Sequence, residues 1–145
     1  MMSAREIAFQ SYEGLDLRPD ALTEARRRWR STRFVEANLF DPAYDNERYH
    51  TVMALEVLEH LFEPEKVLKR LVSMADEYVL LTVPNAPWFQ LMNLVRGRDL
   101  IRLGNHPEHI NHWNKDTFSE FVSPYAEVID VTTRFPFVIL LAKPR

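Results

Sequence analysis

Apolar residues recur along this chain in two rhythms, and the change from one to the other predicts its elements. Tyr12 to Leu17 reads as a short strand ending at Asp16, and Pro19 follows where a first helical turn accepts proline. Ala21, Leu22, Ala25 and Trp29 then fall on one helical face, with Arg26, Arg27, Arg28 and Arg30 on the others. Arg33 to Phe40 is a second strand, and Asp41-Pro42 opens a polar loop through Arg48. Tyr49 to Leu55 is a nearly unbroken apolar run, the pattern of a strand buried on both faces. Pro64 opens a helix whose stripe is Val67, Leu68, Leu71, Val72 and Ala75, and Glu77 to Val83 forms a fourth strand closed by Pro84. Asn85 to Val95 is apolar on most sides, and Arg96 to Trp113 is irregular. Asn114 is a good N-cap for a helix carrying Phe118, Phe121 and Val122, which Pro124 ends. Glu127 to Thr133 and Phe137 to Lys143, joined by a short link, predict an antiparallel pair. Residues 1–10 read as the tail of a helix anchored by Ile7 and Phe9.

The order is β-α-β-β-α-β, an insert over about 85–113, then α-β-β. Alternation of this kind argues an α/β fold with a mainly parallel sheet covered by helices. With 145 residues and 46% hydrophobic content, the expectation is one domain, 1–145, with a real core. A net charge of −3 offers no footprint for non-specific nucleic-acid binding. The chain has no cysteine, which removes disulfides and thiolate chemistry and fits a cytoplasmic setting. No apolar run approaches the ~20 residues of a membrane span, and the N-terminus does not read as a signal peptide.

Chemistry concentrates in Thr51–Leu61, where an apolar strand runs into Glu56, Glu59 and His60. Strand ends that lead into helix starts are where open α/β sheets bind ligands. On a helix, the spacing i, i+3, i+4 would put all three on one face. Such a face could hold a divalent ion, or His60 could act as a general base or as a structural cap. His106, His109 and His112 recur every three residues, but Pro107 and Gly104 argue against a regular helix through them. Trp88, Phe89, Met92 and Leu94 read either as an acceptor pocket or lid, or as packing on the sheet or a dimer surface. Arg96, Arg98 and Arg102, like the earlier arginine run, suit a solvated surface better than an anion site.

Several stretches together resemble a known family, the class I S-adenosylmethionine (SAM)-dependent methyltransferases. Gly14-Leu-Asp16-Leu-Arg-Pro-Asp-Ala-Leu-Thr-Glu-Ala-Arg is similar to their second-strand motif, Ala37-Asn38-Leu39-Phe40-Asp41 to the third, Ala54-Leu-Glu56-Val-Leu-Glu59-His60-Leu to the fourth and Leu81-Thr-Val-Pro84-Asn85 to the fifth. Gly104-Asn-His-Pro-Glu-His109-Ile-Asn-His112-Trp113 resembles a stretch of one bacterial subgroup. The resemblance implies a Rossmann-like sheet with helices on both faces and a last antiparallel strand. It implies SAM as cofactor, contacted by Asp16 and Leu17, Asn38 and Leu39, and Ala54 and Leu55. Asp16 would accept the ribose hydroxyls, or cap the following helix. Asn38 would meet the adenine edge and Leu39 its face, while Asp41 serves equally well as a turn former before Pro42. The catalytic group would be His60 with Glu56 and Glu59, and the acceptor side Trp88, His109 and His112. Similar Glu-x-x-Glu-His elements bind a divalent metal in some relatives, which extends the metal reading of Glu56, Glu59 and His60.

The departure from the family is at the N-terminus. Members begin with a strand and a glycine-rich turn that holds the methionine part of SAM, because only glycine lets backbone approach the ligand so closely. This sequence has three glycines and no Gly-x-Gly, and eleven residues precede Tyr12. The expectation is a fold truncated relative to the family, with a strand missing between those of Asp16 and Ala54. That absence would leave a gap in the sheet or make the two neighbours pair directly, and it favours a homo-oligomer. Two functions compete: methyl transfer from SAM to an O or N atom of a small-molecule acceptor, and a binding or assembly module, or a piece of a longer enzyme, that does not hold SAM.

Overall fold

The computed structural model describes residues 11–86 and 110–145, and the chain divides after Asp45 into two compact units. The expectations for residues 1–10, for Trp88, Phe89, Met92 and Leu94, for Arg96, Arg98 and Arg102, and for His106 and His109 lie outside the described residues.

The first unit contains β1 (Glu13–Asp16), α1 (Pro19–Arg28), β2 (Arg33–Glu36) and a 3-10 turn at Pro42–Tyr44. β1 and β2 pair in parallel with Gly14 opposite Phe34 and Asp16 opposite Glu36. Gly14 is required there, since a Cβ on it would come within 2.6 Å of the Phe34 ring. α1 starts on Pro19 and buries Leu22. It ends at Arg28, so Trp29 lies just past the predicted helical face, 56% exposed, with its ring near Phe34. Among the arginines, Arg27 and Arg28 both pair with Glu24, and Arg26 donates to the Phe34 carbonyl. These bonds fit the solvated-face reading. β2 stops four residues short of the expected Phe40. Asn38 turns the chain by accepting the Phe40 N–H on Oδ1 and the Asp41 N–H on its carbonyl, which ends extended backbone.

The second unit is a four-stranded sheet in the order β3-β4-β6-β5, formed by β3 (Tyr49–Leu55), β4 (Ala75–Pro84), β5 (Ala126–Arg134) and β6 (Phe137–Pro144). β3 and β4 are parallel, and β6 runs antiparallel to both β4 and β5. The C-terminal pair therefore forms as its short link predicts. α2 (Pro64–Met74) joins β3 to β4 and buries Leu68, Leu71 and Met74. Ala75, assigned from periodicity to the helix, is instead the first residue of β4, and no loop separates the two. α3 (Lys115–Val122) starts at Asn114, whose Oδ1 accepts from Asp116 and Thr117 N–H while Thr117 Oγ1 accepts the Asn114 N–H. Phe118 and Val122 on its inner face are fully buried, and Trp113 packs against Phe118 and Phe121. On β4, Val79, Leu81 and Val83 face the core with no exposure. β3 is an edge of its sheet and only Ala54 on it is buried, so its apolar run does not mark a strand covered on both faces.

Parallel strands joined through helices and closed by an antiparallel pair make an α/β fold. The strand of Asp16 pairs with β2 and the strand of Ala54 with β4, and neither belongs to the other's sheet. Among the described residues no helix is long and apolar enough to cross a membrane.

Candidate active site

β3 ends with Leu55 in register with Thr82 of β4, and the chain then turns sharply. Glu56 adopts φ 57, a left-handed conformation that costs a residue with a Cβ about 1 kcal/mol or more. Thr82 holds it there. The Glu56 N–H is shared between the Thr82 carbonyl and Oγ1, both at 3.1 Å, and the Thr82 hydroxyl donates to Glu56 Oε1 at 2.9 Å. One hydroxyl thus accepts from the backbone and donates to the side chain of the same residue, which uses it on both sides.

A single 3-10 turn, Leu58–His60, follows. Leu58 anchors it in the core. Glu59 is 1% exposed, and neither carboxylate oxygen has a hydrogen-bond partner among the described residues. Its Oε1 lies 3.7 Å from His60 Nε2, and the His60 side chain is 36% exposed. Burial pushes the Glu59 carboxyl up to about 7, against the pull of its own backbone N–H and with a smaller push from the nearby Glu56 charge. Burial also raises Glu56, against the opposing pull of the Thr82 hydroxyl and the charge of His60. A carboxyl that exchanges its proton near neutrality therefore sits beside an imidazole that reaches solvent. Perturbed groups at a strand end are a recognised mark of a functional site.

The predicted shared helical face does not form. Glu56 precedes the turn in left-handed backbone, only Glu59 and His60 lie on the turn, and α2 starts later, at Pro64. Among the described residues no three His, Asp or Glu groups are arranged to hold a metal ion. The three side chains are still neighbours, coupled by charge rather than by a common ligand.

The stretch after the insert reaches this turn. Ile110 and Asn111 N–H both donate to the Glu59 carbonyl, at 2.8 and 3.0 Å. Asn111 Nδ2 donates to the carbonyls of Leu61 and Leu58, at 2.6 and 3.2 Å. His112 is exposed, and Trp113, not a histidine, takes the buried place, bridging in parallel to Asn85. Thr82 and Asn111 were not singled out from sequence. Each acts on a residue more than twenty-five positions away, and no local pattern reports that; the register opposite Leu55 is the one signal that points to Thr82.

In the first unit, Asp16 closes β1 with a partly exposed carboxylate. Arg18 donates to it from its N–H at 2.9 Å and from Nε and Nη2 at 3.3 and 3.4 Å. Burial alone would raise Asp16, but these bonds and the Arg18 charge outweigh it and hold the group below the usual carboxylate range. Leu17 is exposed, Leu39 half-buried, and Asn38 commits its side-chain oxygen to the turn described above. Asp41 caps the 3-10 turn by accepting the Ala43 N–H, which is the turn-forming role. In the second unit, Ala54 faces the core and Leu55 is exposed.

A family model described as a methyltransferase domain matches residues 1–123. No curated protein matches the sequence. Among solved structures, magnesium protoporphyrin IX methyltransferase (ChlM) from Synechocystis PCC 6803 with bound SAH is similar, at 20% identity and TM-score 0.66 over 93% of this chain and 64% of that one. A methyltransferase in complex with the Haloferax volcanii Trm112 methyltransferase activator matches at 11% identity and TM-score 0.72, over 96% and 73%. An O-methyltransferase family protein from Burkholderia thailandensis matches at 16% and 0.68, over 92% and 43%. These likenesses show the fold. The chain spans less than two thirds of the length of the first of these proteins.

Proposed function

This chain belongs to the methyltransferase-domain family, and on that premise we propose that it binds SAM and transfers the methyl group to an O or N atom of a small-molecule acceptor. The observation that carries the reading is the pairing of the buried Glu59 carboxyl with the half-exposed His60 at the end of β3. The SAM- and SAH-bound structures of the Synechocystis enzyme support the cofactor. The residues of the first unit suit the adenosine part. Asp16 stays ionised as an acceptor for a diol, and Asn38, its oxygen engaged, has its amide N–H groups to offer an adenine edge. Leu39 and the exposed Leu17 supply apolar contact.

Bound SAM would supply an electrophilic sulfonium methyl to the acceptor's lone pair and would leave as SAH. The chain's part is to orient the acceptor and take its proton. His60 receives that proton, and ionised Glu59, 3.7 Å from Nε2, stabilises the imidazolium. Glu56, clamped by Thr82, adds a second negative charge nearby. Trp88, His109 and His112 belong to the acceptor side in this reading. We place the reaction in the cytoplasm, on the absence of cysteine, and its substrate outside nucleic acids, on the net charge of −3. Self-association is the further partner we propose.

The absence of any Gly-x-Gly favours a second reading, a module that does not hold SAM by itself. Formation of SAH from SAM, followed with a panel of phenols, carboxylic acids and amines, separates the two. Turnover above the buffer rate that falls about 100-fold or more in His60→Ala supports methyl transfer. SAM consumed no faster than in buffer with every acceptor speaks for the second reading.

A further inference from the structure

A one-turn 3-10 helix cannot satisfy its own last carbonyls, and buried backbone acceptors need partners. Leu58 keeps one bond inside the turn, from the Leu61 N–H, and the other partners come from about fifty residues away. Three of the four carbonyls from Leu58 to Leu61 receive hydrogen bonds from residues 110 and 111: Leu58 and Leu61 from Asn111 Nδ2, and Glu59 from the two backbone N–H groups. The side chain can be read in one orientation only, since turning the amide over would set its oxygen against two carbonyl oxygens. Just before the turn, Thr82 clamps Glu56. The turn carries Glu59 and His60.

We propose that Asn111 is the positioning residue of this site: its amide fixes the Leu58–Leu61 turn and thereby holds the Glu59 carboxyl beside the His60 imidazole. The proposal rests on the acid–base role given to that pair above, but the geometry it concerns exists whether or not SAM binds. Asn111 touches neither acceptor nor cofactor in this account. It acts through the backbone on which the reacting groups stand. A looser turn would admit water to Glu59 and let it leave the imidazole.

Asn111→Ala tests this without a known acceptor. Urea titration first confirms the fold, and carbon-13 NMR then follows the Glu59 carboxyl through its titration in both proteins. The wild-type midpoint should lie near about 7. In folded Asn111→Ala it should fall by about one pH unit or more, toward an ordinary exposed Glu. Asn111→Ser, which keeps one donor, should give a smaller fall, and it decides the question if the alanine variant does not fold. An unchanged Glu59 midpoint in a folded variant overturns the proposal. SAH binding, measured in parallel by calorimetry, should be equal in wild type and Asn111→Ala. If neither binds SAH, the cofactor reading fails while the NMR result still decides the role of Asn111.

Discussion

Glu59 concentrates the chemistry of this molecule in one side chain. Its carboxyl is buried without a hydrogen-bond donor among the described residues, and it holds its proton up to about 7 rather than the ordinary 4.5. The linkage has a definite sign. The folded pKa is raised, so between these two values the unfolded chain has lost a proton that the folded chain keeps, and stability falls as pH rises through the window. The whole effect is roughly 3 kcal/mol, present in full above pH 7 and absent below about pH 4. Glu59→Gln, a neutral residue of the same shape, should therefore match wild type near pH 4 and exceed it by up to that amount near pH 8. Urea unfolding at the two values measures this, and a difference independent of pH would mean the carboxyl is not desolvated. A group that costs stability at neutral pH is what a retained catalytic role predicts, since burial of an ionisable group for packing alone is disfavoured.

At the scale of elements, the chain is mostly legible where packing repeats and least legible where single side chains intervene. The bounds of β3, the start of α2 and the pairing of β5 with β6 follow from apolar period, proline and turn residues. α3 could be placed from Asn114 alone, and the structure adds the reciprocal bond of Thr117. Asn114→Ala should lower stability by about 1 kcal/mol, readable as a shift of the urea midpoint, whereas Asn114→Asp, which keeps the acceptor, should cost little. An alanine variant as stable as wild type would contradict the capping argument. The misplaced features share a cause. β2 ends early because Asn38 satisfies its neighbours' backbone groups, and no helix face forms at Glu56 because Thr82 stabilises a left-handed turn there. The candidate site was legible as a cluster in Glu56-Glu59-His60, because strand ends in α/β sheets are its usual place. Its geometry was not, because Thr82 and Asn111 reach it from distant segments.

For the whole molecule, the sheet pairings and the family agree, and the open matter is whether these residues hold SAM. The sequence has no Gly-x-Gly. Against that stand Asp16, kept ionised by Arg18, and the Glu56–Glu59–His60 cluster kept in place by Thr82 and Asn111. Such positioning and a buried carboxyl have a cost that a purely structural turn would not need to bear. Calorimetric titration of the chain with SAH tests the claim most directly. Saturable one-site binding in the micromolar range, weakened about tenfold or more by Asp16→Ala, is the result predicted here. No heat of binding up to about millimolar SAH, from protein shown to be folded, would contradict it.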